Sequence, residues 1–184
     1  MKKESTVMFV IRLTLTLLLI TAVTAAALAG VNAITEDKIA DIKAEKTRRA
    51  IAEVLEGAES AETIDFTDDS GIITTIYAND NGYAIQVEPT GFGGVISMMV
   101  GVSADGTVTG VSVVSHTETA GLGAVAGDKT TKGQAFRGQY AGLSGQLAVT
   151  KDGGVIDSIS GATITSRAVT DGVNAALARV AQNG

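Results

Sequence analysis

The chain has 184 residues, a net charge of −6, no cysteine, one histidine and no tryptophan, with 22 glycines and only 4% aromatics. Iron–sulfur ligation and structural zinc, which need several Cys or His side chains, are excluded. An acidic chain is also a poor partner for a phosphate backbone, so nucleic-acid binding is disfavoured. With so few rings, the core must be built from Val, Ile, Leu and Ala, a composition that suits strands joined by tight turns.

From Leu13 to Thr35 the chain carries no charge. At ~1.5 Å rise per residue this stretch is long enough to cross a ~30 Å hydrocarbon core as a helix. The alternative is a cleaved signal peptide, with small residues from Ala25 to Ala33 offering a cleavage site, but a signal h-region is usually only ~7–15 residues. Lys2, Lys3 and Arg12 precede the span, whereas Glu36, Asp37 and Asp41 follow it. The positive-inside rule then leaves residues 1–12 in the cytoplasm and sends everything after the span outside the cell membrane.

Residues 36–57 are expected to form a stalk helix, either capped by Thr35 or continuing the membrane span, with Glu45 four residues before Arg49 as a supporting pair. Residues 58–184 are expected to form one domain of the α+β class, an antiparallel or mixed β-sheet flanked by helices. Ser60 to Ser70 reads as loop or short strand around Ile64 and Phe66, and its acids Glu62, Asp65, Asp68 and Asp69 read as solvated surface. Strands follow at Ile72–Ala78, Tyr83–Glu88, Val95–Ser103 and Thr107–Ser115, with turns at Asn79-Asp80-Asn81-Gly82 and Ala104-Asp105-Gly106. The mixed apolar faces of Val95–Ser103 predict a strand buried on both sides. Gly121 to Gly145 is glycine-rich, with a helix expected near Gln134–Tyr140. Gln146–Thr150 and Val155–Ile159 read as a short strand pair. A terminal helix is expected over Ser166 to Ala181, with Val169, Val173, Ala176, Leu177 and Val180 on one face.

The segment with most chemical information is Asp157-Ser158-Ile159-Ser160-Gly161-Ala162-Thr163-Ile164-Thr165-Ser166. It places five hydroxyls and a glycine between a strand and a helix start, where unpaired N–H groups and the dipole favour a phosphate. The simpler alternative is that Thr165 or Ser166 caps the helix.

Asp157-x-x-Ser160-Gly161-Ala162-Thr163 resembles the attachment motif of the FMN-binding domain in the G subunit of the Rnf electron-transport complex, related to the C subunit of the sodium-translocating NADH:quinone reductase. Two further stretches are similar to that family. His116-Thr117-Glu118-Thr119-Ala120-Gly121-Leu122-Gly123 follows its His-x-Glu-Thr-Pro-Gly-Leu-Gly loop, with Ala120 in place of the usual proline. Gly91-Phe92-Gly93-Gly94 follows its Gly-aromatic-Gly-Gly strand entry.

The resemblance implies FMN joined covalently through its phosphate to Thr163 by a dedicated flavin transferase, with Asp157 serving transferase recognition. It implies further cofactor contacts from Ser160, Gly161, Ala162, Thr165, Ser166, His116, Glu118, Thr119, Gly121, Leu122, Gly123, Gly93 and Gly94. It also implies other membrane subunits as partners, in an ion-translocating complex moving electrons between ferredoxin and NAD. No catalytic residue and no metal ligand is assigned, because His116 has no nucleophile at triad spacing. No Gly-x-Gly-x-x-Gly fingerprint follows a strand, so NAD itself is not expected to bind this chain. The rival readings are the C-type quinone reductase subunit and a non-redox anchored ligand-binding module.

Overall fold

The computed structural model describes residues 6–66 and 70–182; Lys2, Lys3 and Glu4, and Asp68 and Asp69 of the acidic run, lie outside them. A single helix, α1 (Thr6–Val54), opens the chain. The chain divides into two units, residues 1–45 and 46–184.

The described residues of the first unit are helical, and their apolar stretch is long enough to fit one membrane span. Its hydroxyls bond within the helix. Thr14, Thr16, Thr21, Thr24 and Thr35 each donate to the carbonyl four residues earlier, so these five hydroxyls need no water where lipid offers none. Thr35 therefore caps no helix start: α1 runs on through it, past Gly30, so the expected stalk helix is the continuation of the apolar one.

The second unit is built on a five-stranded antiparallel sheet, β1 (Glu62–Ile64), β2 (Ile73–Asn79), β3 (Gly82–Val87), β4 (Ser97–Ser103) and β5 (Val108–Ser115), in sequential order. Strand alternation assigns the two faces. Ile85 pairs with Val100 and Val87 with Met98 on one face, while Ala84 pairs with Gly101 and Gln86 with Met99 on the other. Both faces are covered, which is why β4 is buried from Ser97 to Val102.

The first face receives α2 (Thr131–Gly138) and α3 (Thr163–Ala181). Val169, Val173, Ala176, Leu177 and Val180 of α3 are all buried there, with Phe136 and Tyr140 at its edge. The second face receives the end of α1, where Ala50, Ile51, Val54 and Leu55 pack on Ala84 and Met99. Gly101 and its partner Gly110 leave room for Val54, because a Cβ at Gly101 would collide with the Val54 carbonyl. Asn79 and Asn81 in the β2–β3 turn donate to the carbonyl of Glu56 at 2.9 and 3.0 Å, capping the chain as it leaves α1.

Several strand ends shift by one residue from the sequence reading, and four differences are larger. The helix α2 begins three residues early, because Thr130 accepts from Gly133 N–H and caps it. The strand β4 begins at Ser97, with Val95 held only by a bridge to Thr90. Gln146–Thr150 and Val155–Ile159 form no strand pair beyond the single bridge Val149–Ile156, because a 3₁₀ turn at Thr150–Asp152 intervenes. Finally, α3 begins at Thr163 rather than Ser166.

Candidate functional site

The early start of α3 puts Thr163 at its first helical position. Gly161 makes this possible with φ +76°, a conformation that brings the chain sharply into the helix. The turn is held from within. Ala162 N–H donates to Ile159 O at 2.9 Å, and the Ser166 hydroxyl accepts from Ile159 N–H and donates to Ala162 O, both at 3.0 Å. From outside, the Gln139 amide clamps Asp157 at two points, accepting its N–H at 2.7 Å and donating to its carbonyl at 3.1 Å.

The helix has no side-chain cap. Its N-cap residue is Ala162, Thr165 donates to a carboxylate elsewhere, and Ser166 is engaged in the turn. The capping alternative therefore fails for both hydroxyls. The N–H groups of Thr163, Ile164 and Thr165 have no acceptor among the described residues, an open helix end of the kind that suits an anion. Thr163 is half-buried, and its hydroxyl accepts from Lys151 Nζ at 2.8 Å.

The upstream motifs converge on the same place through Glu118, which is only 8% exposed. One carboxylate oxygen accepts Gly93 N–H at 2.8 Å; the other accepts the Thr165 hydroxyl at 2.6 Å. Thr117 adds a bond from its hydroxyl to Gly93 O at 2.8 Å. Gly91 and Gly123 pack so closely on the carboxylate that a Cβ on either would strike it. One buried carboxylate thus ties the glycine entry to β4, the loop after β5 and the start of α3.

Between these segments lies a cleft of about 320 Å³ lined by Phe92, Glu118, Thr119, Leu122, Gly123 and residues 161–165. Phe92 is 68% exposed and Ile164 50%, so two large apolar side chains stand at the rim unsatisfied by the protein itself. The volume falls within the roughly 300–1,000 Å³ of small-molecule sites. Apolar walls, a few convergent polar groups and an uncapped helix end suit a flat ring system carrying a phosphate.

Residues 91–178 match the family model described as FMN-binding domain, and residues 1–54 match that described as RnfG N-terminal region. The chain is 36% identical over 181 residues to the G subunit of the ion-translocating oxidoreductase complex of Methanosarcina acetivorans, covering 92% of this chain and 94% of that one. To the G subunit of the Na(+)-translocating ferredoxin:NAD(+) oxidoreductase complex of Acetobacterium woodii it is 34% identical, with 95% and 92% covered. The chain belongs to this G-type family. A third relative, the G subunit of the proton-translocating ferredoxin:NAD(+) oxidoreductase complex of Clostridium ljungdahlii, is 44% identical over 53% of this chain and 52% of its own.

Of the residues singled out from the sequence, Glu118, Thr119, Leu122, Gly123, Gly161, Ala162, Thr163 and Thr165 line the cleft. Gly93 and Gly94 instead pack against Thr117 and Glu118. The His116 Nδ1 accepts Glu118 N–H at 3.3 Å and its ring lies against Gly127, which makes it a support of the loop. Gly121, Asp157 and Ser160 face a separate groove of about 520 Å³ beside Lys132, Phe136 and Gln139 of the α2 region. Ser166 is fully buried.

Sequence reasoning missed Phe92 and Ile164, although both stand inside quoted motifs, and it missed Lys151 and Gln139. For Lys151 no local signal exists, because only the fold of the 150–154 turn brings it to Thr163.

Proposed function

We propose that this chain is the membrane-anchored flavoprotein subunit of an Rnf-type complex, holding FMN through a phosphoester on Thr163. It takes up and passes on electrons outside the cytoplasm, within ferredoxin/NAD electron transfer coupled to ion movement. What supports this reading most is the position of Thr163: the first residue of an uncapped helix, opening into the cleft where all three motifs meet. Residues 13–35 span the membrane, residues 36–57 form the stalk and residues 58–184 carry the flavin.

Bound FMN supplies reversible one- and two-electron chemistry. The chain's own residues supply the setting. The free N–H groups of α3 would hold the phosphate. Phe92, Leu122 and Ile164 would shield the flavin from water, and Glu118, through Gly93 and Thr165, fixes the walls of the cleft. Tethering matters on this side of the membrane, where released FMN would be lost; a tether keeps the ring at high effective concentration. A flavin transferase acts on Thr163 during maturation, reading Asp157, which lies exposed on the neighbouring groove.

The G-type assignment is favoured over the C-type quinone reductase subunit by relatives that align over nearly their whole length. The test is to produce the full chain with its transferase and look for flavin fluorescence after denaturing electrophoresis. Fluorescence that persists in the wild type and vanishes in Thr163→Ala supports the tether. A colourless wild type is the result expected of a non-redox binding module.

A further inference from the structure

Lys151 sits on the 3₁₀ turn Thr150–Asp152, a segment fixed tightly beside α3. Asp152 N–H donates to Val149 O at 2.8 Å, and Thr150 N–H donates to Ile156 O at 2.8 Å. The next side chain, Asp152, receives Arg167 in a two-point pair, Nε at 2.7 Å and Nη2 at 2.6 Å. Arg167 lies four residues after Thr163, on the same face of α3. The turn is thereby docked on the helix start by two adjacent side chains, one on Arg167 and one on Thr163.

The two cations differ in their partners. The Arg167 guanidinium has its carboxylate, and that pairing holds Asp152 below the usual carboxylate range. The Lys151 ammonium donates to a neutral hydroxyl at 2.8 Å; it also helps to lower the pKa of Asp152, but that carboxylate is bonded to Arg167 and lies outside ion-pair distance of Lys151. A full positive charge thus rests on the one oxygen that the proposed function esterifies, beside helix N–H groups that also lack an acceptor.

We propose that Lys151 is a positioning residue for the flavin nucleotide at Thr163, pairing with a non-bridging phosphoryl oxygen while the ester forms and after it has formed. This rests on Thr163 being the tether. The Thr163 oxygen forms its bond to the flavin-side phosphorus of a flavin phosphoanhydride, and the anhydride P–O bond breaks. The nucleoside monophosphate leaves with that electron pair, and the hydroxyl proton passes to water or to a base on the transferase. Lys151 opposes the build-up of negative charge on the phosphoryl oxygens during this exchange, and later neutralises the single charge of the diester.

The experiment uses the full-length chain, made without flavin, incubated with transferase and flavin adenine dinucleotide. The initial rate of in-gel fluorescence is compared for wild type, Lys151→Gln, Lys151→Arg and Thr163→Ala. Lys151 is exposed, so its variants should melt with the wild type. Lys151→Gln is expected to label about tenfold more slowly, the order of one partly solvated charge-assisted hydrogen bond. Lys151→Arg, keeping the charge, is expected to restore most of the rate. Equal rates for wild type and Lys151→Gln overturn the proposal, and so does an Arg variant as slow as the Gln variant. A wild type that never labels fails the tether itself, and this inference with it.

Discussion

Thr165 donates its hydroxyl to the buried Glu118 carboxylate at 2.6 Å, joining the loop after β5 to the first turn of α3. The same carboxylate accepts Gly93 N–H, so Glu118→Ala leaves two donors without partners in a closed site. A loss of about 2–3 kcal/mol is expected, the scale of buried hydrogen bonds to a charged group. Thr165→Val, which keeps the shape and removes one donor, should cost about 1.5–3 kcal/mol. Chemical denaturation of the flavin-free full chain in detergent checks both, and the double variant should be less destabilised than the two losses added together.

The turn Thr119-Ala120-Gly121-Leu122 has Leu122 N–H donating to Thr119 O at 3.1 Å and φ +76° at Gly121. With no positive φ at Ala120, this is a type II turn with Ala120 at its second position, where proline is favoured. The resemblance to a family loop carrying proline there has a direct geometric cause. Ala120→Pro is expected to stabilise the chain by about 0.4–1 kcal/mol by restricting the unfolded state. A drop in the unfolding midpoint would show that the Ala120 N–H is needed after all.

Tyr140 is fully buried, its hydroxyl 2.9 Å from that of Thr170, and burial pushes its pKa up to about 12. The unfolded chain ionises this group near ~10. Its stabilising effect is therefore complete below pH ~10 and is lost as pH rises through the folded value, a loss of about 2–3 kcal/mol in all. Tyr140→Phe should cost about 1 kcal/mol at neutral pH and remove that part of the alkaline decline. Denaturation midpoints between neutral pH and pH ~11 separate the two behaviours.

The sheet was legible because its period-2 apolar runs are separated by unmistakable turns, and the apolar face of α3 because five residues recur at helical spacing. Boundaries were less legible where side chains bond outside their own element. The hydroxyls of Thr165 and Ser166 read as caps, yet one serves Glu118 and the other the turn before the helix, and so α3 starts earlier. The strand pair read into residues 146–159 shrinks to the single bridge Val149–Ile156, because the chain between the two runs winds into the 3₁₀ turn Thr150–Asp152. The three site motifs could be read individually; that a single carboxylate joins them could not, since Gly93, Glu118 and Thr165 are brought together only by the folded sheet and helix.

The ester on Thr163 is tested most directly by peptide mass spectrometry. Trypsin cleavage after Lys151 and Arg167 releases Asp152–Arg167, which holds Thr163 with Thr165, Ser158, Ser160 and Ser166. From the chain matured with its transferase, this peptide should carry the mass of one FMN less water, with fragment ions placing it on Thr163. An unmodified peptide from yellow protein, or the same mass found on Thr165 or a serine, would contradict the tether.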